Sequence, residues 1–298
     1  MTRVSDISRS TASSLSDSGG LPARANGDES LPRARVIVAT CVDRRERTGS
    51  SSPVIVDSSD GQWFVKLRGA AQGVSTLIAE IIVAELAERL ELNVPARTLI
   101  DLPAGVASRD VNDELRDLLN ASAGLNVGFE MLDSARNLTR AEYEAVPLDI
   151  AASVLWLDML VQNQDRSPAN PNIMVRRGAY WLIDHGASLL FHHDWASVNE
   201  SSPRREYDVA RHVFGWSAAV LSSAHDMLAP RMTRDALHDA VAMVPDEFLR
   251  TATADVARRR AMYAAFLWKR LQWMHETYSE PSRSSMARRS ASSSDSAP

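Results

Sequence analysis

Asn163-Gln164-Asp165-Arg166-Ser167-Pro168-Ala169-Asn170-Pro171-Asn172, followed by Leu182-Ile183-Asp184-His185-Gly186, is the stretch on which the reading of this chain turns. The first segment leaves an apolar helical run, Leu148 to Gln162, and enters a loop dense in proline and polar groups. Ile173-Met174-Val175 and Tyr180-Trp181-Leu182-Ile183 then read as two short strands around Arg176-Arg177-Gly178, and the second carboxylate closes the latter strand. A carboxylate, a carboxamide five residues later and a carboxylate at a strand end are parts that phosphoryl transfer needs. One Asp orients and deprotonates an attacking hydroxyl, while an Asn and an Asp bring hard oxygen ligands to a Mg²⁺ that bridges phosphates. On this reading Asp165 is the base, and Asn170 and Asp184 are metal ligands.

Working towards the N-terminus, Trp63-Phe64-Val65-Lys66-Leu67 reads as a strand. It forms a hairpin with Pro53-Val54-Ile55-Val56-Asp57 across the turn Ser58-Ser59-Asp60-Gly61. Of 33 basic residues only Lys66 and Lys269 are lysine, which suggests that Lys66 fills a role arginine does not. A compact ammonium suits phosphate binding better than a planar guanidinium. The helix that follows, from about Val74 to Leu92, offers Glu80 and Glu85 as partners for Lys66. Helical phase places Glu85 among the apolar positions Leu77, Ile78, Ile81, Ile82 and Leu86, where a charge needs a partner, and puts Glu80 opposite. The Asp-x4-Asn spacing equals that of a kinase catalytic loop, and Asp184-His185-Gly186 stands where an Asp-Phe-Gly would.

Taken in order, Trp63 to Gly69, Leu77 to Pro95, Asn163 to Asn172, Leu182 to Leu189 and Val244-Pro245-Asp246-Glu247-Phe248 resemble the HipA-like branch of the protein-kinase-like superfamily over about residues 35 to 275. The resemblance implies an α+β, bilobal protein-kinase-like fold with ATP and Mg²⁺. Counting back from Val94-Pro95, it also selects Glu80 over Glu85 as the lysine partner. The chain departs from the common kinase pattern in two places. No Gly-x-Gly-x-x-Gly precedes Lys66, so Gly49-Ser50-Ser51-Ser52 is the one candidate phosphate loop, with Ser51 and Ser52 as nucleotide contacts. Gln164 stands where a histidine usually precedes the base.

The organisation follows. Residues 1–33 contain eight serines and no hydrophobic period, and 279–298 hold nine serines in twenty residues; both read as disordered tails. Residues 34–127 read as a small strand-rich N-lobe with one main helix. Residues 128–278 read as a larger, mostly helical C-lobe, with helices over roughly 206–228, 233–242 and 246–278. In the first of these, Asp208 and His212 fit an exposed i, i+4 pair. Apolar residues make up 45% and charged residues 24%, which supports a packed core. The longest apolar run, Ile150 to Val161, is broken by Asp158 and is too short to span a bilayer. A single cysteine, Cys41, excludes an internal disulfide. The net charge of −5 argues against a non-specific nucleic-acid binder, and a cytoplasmic location is expected. The acceptor expected by resemblance is a protein Ser/Thr hydroxyl. A small-molecule or lipid hydroxyl, or a nucleotide-binding pseudokinase, are the alternatives.

Overall fold

The computed structural model describes residues 35–45, 52–70, 72–250 and 255–279. It is a mixed α+β structure, strand-rich at the N-terminal side and helical at the C-terminal side. Residues 1–33 and, apart from Ser279, 279–298 of the expected tails, and Gly49, Ser50 and Ser51 of the candidate phosphate loop, lie outside the described residues.

The strand-rich part contains β1 (Val36–Arg45), β2 (Val54–Ser58), β3 (Gly61–Lys66), α1 (Val74–Arg89), β4 (Arg97–Leu102), β5 (Ala107–Ser108), α2 (Asp113–Ala121) and β6 (Gly124–Glu130). The sheet order is β2-β3-β6-β4-β1-β5, and β1 also pairs with β2, so the sheet curls back on itself. β1 achieves this by changing partner along its length. Val36 to Val38 run parallel to β4, and Ala39 to Arg45 run antiparallel to β2 with register shifts between Ala39 and Cys41 and between Val42 and Arg44. Such bulges bend and twist a strand. The curl encloses Ile37, Val42, Val54, Val56, Val65, Leu67, Ile100 and Leu102, and Leu115 and Leu119 of α2 close one side. Asn112 caps α2 by accepting from the backbone N–H of Glu114 and Leu115.

β6 runs from 124 to 130, across the boundary expected at 127/128, and pairs with both β3 and β4. Its Gly128 is dictated by close approach: a Cβ there would lie 2.6 Å from Ile100 Cγ1. α1 passes between the sheet and the helical part and is buried on nearly all sides from Thr76 to Ala87.

The helical part begins with β7 (Arg136–Asn137) and a 3-10 turn, Arg140–Ala145, entered through a Thr139–Glu142 capping box. α3 (Leu148–Val161) follows, then β8 (Ile173–Arg176) and β9 (Ala179–Leu182), which form a three-stranded sheet with β7. The rest is α4 (Leu221–Leu228), α5 (Arg234–Ala242), α6 (Asp246–Leu249) and α7 (Val256–Tyr278). The continuous helix expected over 206–228 is instead two short 3-10 turns, Val209–Arg211 and Gly215–Val220, before α4. The helix expected from 246 to 278 is two, α6 and α7, the latter capped by Asp255. α1 joins the parts, packing against α3, α5 and α6.

Candidate active site

α3 ends at Gln162 in the left-handed conformation (φ 55°), and the chain turns into the loop that carries Asp165. The loop is shaped from below by a carboxylate inside α3. Asp158 is fully buried. Its Oδ1 accepts from Asn163 Nδ2 at 3.0 Å, and its Oδ2 accepts from Arg166 Nε at 2.6 Å and from His212 Nε2 at 2.9 Å. His212 Nδ1 accepts the Phe214 N–H, which puts the ring proton on Nε2, facing Asp158. Asn163 Oδ1 accepts the Asp165 N–H at 3.1 Å, and Tyr207 O–H donates to the Asn163 carbonyl. Arg166, also buried, donates Nη1 to the Asn172 carbonyl at 2.6 Å and Nη2 to His185 Nδ1 at 3.4 Å. Burial alone would raise the Asp158 carboxyl, but Arg166 and His212 outweigh it and hold it below the usual carboxylate range.

His212 is therefore 4% exposed and bound to Asp158, not half of an exposed helical pair with Asp208. The helix assumed for that pair is absent. Asp158, Asn163, Arg166 and His212 form a buried frame not identified from the sequence. The available signals were Asp158, a charge inside an otherwise apolar helical run, and Asn163 and Arg166, which stand in the quoted stretch without an assigned role.

Above the frame, Asp165 Oδ2 accepts from Asn170 Nδ2 at 2.9 Å and from Asn172 Nδ2 at 3.2 Å. Two carboxamides thus fix one carboxylate oxygen. Asn172 adopts φ 49°, a left-handed conformation that asparagine tolerates better than most residues.

Lys66, 118 positions before Asp184, meets it across the molecule. Its Nζ donates to Glu80 Oε1 at 2.5 Å and to Asp184 Oδ1 at 2.7 Å. Glu85 lies elsewhere, bonded to Arg97. Burial would depress the Lys66 ammonium, but the two carboxylates more than compensate and hold it above the usual lysine range. Burial raises Glu80 against the pull of Lys66, whereas Lys66 overcomes burial at Asp184 and keeps that carboxyl low. Asp184 has φ 55°. Gly186 beyond it is required by proximity to α1: a Cβ there would sit 2.4 Å from Thr76 Cγ2 and 3.2 Å from Glu80 Oε1. Burial drives the intervening His185 imidazole down to about 3, so it stays neutral.

A cleft of about 810 Å³ gathers these groups. Its lining includes Lys66, Glu80, Asp165, Asn170, Asn172 and Asp184 together with Phe64, Ala84, Val94, Phe129, Leu138, Ile173 and Leu182. The segment Glu130-Met131-Leu132, which follows β6, forms part of the wall. Pro53 also lines it; its neighbour Ser52, at φ 45°, is not among the lining residues. Among the described residues no group of three or more His, Cys, Asp or Glu is arranged to hold a metal ion alone. No helix among them is long and apolar enough to cross a membrane.

In this cleft, one charged set drawn from β3, α1, the 163–172 loop and the 184–186 turn stands against an apolar wall. Comparison with solved structures finds similarity to the proinflammatory kinase CtkA of Helicobacter pylori, at 10% identity, with 78% of this chain and 92% of that one covered and a TM-score of 0.48. No curated protein matches. The sequence profile of the HipA-like kinases matches residues 39–271, from within β1 to within α7, and so takes in every charged group of the cleft. By that match the chain belongs to the HipA-like kinase family and is a kinase.

Proposed function

We propose that this kinase transfers the γ-phosphoryl group of ATP, with Mg²⁺, to a Ser or Thr hydroxyl of a protein, in a cleft between two lobes. The observation that carries the reading is the convergence of Lys66, Asp165, Asn170 and Asp184 on one cleft although they are spread over 119 positions of the chain. The donor set fits the cofactor. Asn170 directs its Nδ2 at Asp165, so what it can offer a cation is a neutral oxygen, and Asp184 adds a carboxylate. Two protein oxygens supplemented by phosphate and water are typical of Mg²⁺ sites that work on nucleotides. When bound, Mg²⁺ supplies positive charge against the phosphate oxygens.

The chain's own groups do the rest. Lys66, kept protonated by Glu80 and Asp184, presents a fixed cation to the phosphates. Glu80 holds that ammonium from inside α1. Asp165, oriented by Asn170 and Asn172, receives the proton of the attacking hydroxyl, and the apolar walls suit a nucleobase. Ser51 and Ser52 are retained as proposed phosphate contacts.

Radiolabelled γ-phosphate ATP with purified protein, Mg²⁺ and a cell extract tests this. Label should enter extract proteins at Ser or Thr. Asp165→Asn should lower turnover by about 10²- to 10⁴-fold while nucleotide affinity stays within about twofold, because the base acts on the acceptor and not on the nucleotide. Unchanged turnover in Asp165→Asn removes the catalytic assignment, and label in small molecules alone removes the protein acceptor.

A further inference from the structure

The lysine strand is fastened at a second place, outside the cleft. Arg68, two residues past Lys66, donates its backbone N–H to Asn126 Oδ1 at 2.8 Å. Asn126 is fully buried, and its Nδ2 donates to the Ser122 and Gly124 carbonyls at 2.9 and 2.7 Å. The Arg68 guanidinium reaches out of the strand-rich part to Glu247 Oε1 on α6, 179 positions further along the chain. Gly124 makes room for the contact: at φ 99°, a Cβ there would lie 3.1 Å from Arg68 Nη1 and 3.5 Å from Glu247 Oε1.

α6 is tied to its neighbours despite its four residues. Arg260 of α7 donates to Asp246 Oδ1 at 2.7 Å and to the carbonyls of Val241 and Val244 at 2.7 and 2.6 Å, tying α7, α6 and the end of α5 together. α6 also packs against α1, the helix that carries Glu80. A continuous line of contacts therefore runs from α7 through α6 and Arg68 to a backbone position two residues from Lys66. Neither Arg68 nor Glu247 lines the cleft.

We propose that Glu247 is a positioning residue for Lys66: its ion pair with Arg68 sets where the lysine strand stands against the helical part, and so where Nζ meets phosphate. This rests on the reading of Lys66 as the phosphate-binding cation. The pair is partly exposed, with 23% and 40% of the side chains accessible, and such pairs contribute little to global stability. Its effect falls on geometry, and small displacements of a binding group are strongly felt.

The test measures equilibrium affinity for the non-hydrolysable β,γ-imido analogue of ATP with Mg²⁺, together with KM, kcat and thermal midpoint. Glu247→Gln, Glu247→Ala and Arg68→Glu should each weaken nucleotide affinity by about tenfold and raise KM for ATP in parallel. kcat at saturating ATP and the thermal midpoint should stay near parental values. The reversed pair Arg68→Glu/Glu247→Arg should restore affinity, whereas a purely structural role would move the thermal midpoint of the single variants. Parental affinity in both Glu247 variants, or no recovery in the reversed pair, overturns the proposal. Lys66→Ala, run alongside, separates two failures. If it loses affinity while the Glu247 variants do not, the strut alone is wrong. If it too binds normally, the phosphate role of Lys66 falls, and the strut with it.

Discussion

Replacing Asp158 by Asn keeps the side-chain shape and removes one charge from beneath the 163–172 loop. The consequence follows from the partners. Asp158 receives three donors, from Asn163, Arg166 and His212. An amide accepts through one oxygen only, so its NH₂ must face at least one of these donors. The Arg166 guanidinium, with no accessible side-chain surface, loses its counter-charge. Removing one partner of a buried pair costs about 3–5 kcal/mol, a large part of the roughly 5–15 kcal/mol that holds a domain folded. Urea denaturation at pH 7.5 reads this directly.

The pH dependence gives an independent check. Asp158 has a folded-state pKa below its unfolded value. Its contribution is present above about pH 4, the unfolded value, and is lost as pH falls through the lower folded value. The gap between parent and Asp158→Asn should therefore be constant from pH 7.5 to 5 and narrow below about pH 4. Activity distinguishes frame from filler: a double replacement by apolar residues, Asp158→Leu with Arg166→Met, is expected to recover part of the stability but not turnover, since Asn163 and His212 lose their acceptor and the Asn172 carbonyl loses the Arg166 donor. A loss under about 1 kcal/mol in Asp158→Asn, with normal turnover, would refute the reasoning.

Two further outcomes are expected. Glu80→Gln should lower kcat/KM by about 10²-fold by leaving the Lys66 ammonium held by Asp184 alone, whereas Glu85→Gln, at a residue bonded to Arg97, should stay within about twofold; steady-state kinetics on both variants decides it. Burial beside His193 and Tyr263 holds His192 down at about 3, so between pH 6.5 and 3 the unfolded chain takes a proton that the native chain refuses and stability falls with pH, by about 2 kcal/mol at pH 5; His192→Asn should flatten the stability–pH curve by that amount, and an unchanged slope counts against it.

Much of the site was legible because its parts are chemically unusual where they stand: a rare lysine on a strand, and an ordered Asp, Asn, Asp series with short loops between. Glu80 was less so. Helical phase favoured Glu85 because it assumed a helix with one buried stripe, but α1 is buried from Thr76 to Ala87 on nearly every side. Glu85 is half-buried, three residues before the exposed Glu88, and is paired with Arg97. In a helix buried over most of its circumference, phase carries little information about which polar residue points at the cleft. β6 escaped notice because Gly124, Asn126 and Gly128 depress strand propensity; those residues are there because Ile100 and Arg68 approach too closely for side chains, or because Asn126 must bond the Arg68 backbone. His212 was misread because a 3.6-residue period was imposed on two 3-10 turns.

The arrangement of Lys66 also dictates how Asp184 must behave. Lys66 Nζ is bonded to both Glu80 and Asp184. If Asp184 is to ligate Mg²⁺ while Lys66 holds phosphate, the 2.7 Å bond between them is exchanged on nucleotide binding. Without the cation, Asp184 both competes for the ammonium and repels the phosphates. Asp184→Asn removes both effects and keeps the shape. Metal-free nucleotide should then bind the variant at least as tightly as it binds the parent, because Lys66 keeps Glu80 and is released from its second carboxylate. Added Mg²⁺ should tighten binding to the parent by tenfold or more, an increment of about 1.4 kcal/mol per decade, and should barely change the variant. Turnover should fall with the lost increment. Isothermal titration with and without Mg²⁺ separates the two effects in one experiment. An equal Mg²⁺ increment in parent and variant shows that Asp184 is not a ligand, and weaker metal-free binding in Asp184→Asn shows that its bond to Lys66 supports nucleotide binding and does not oppose it.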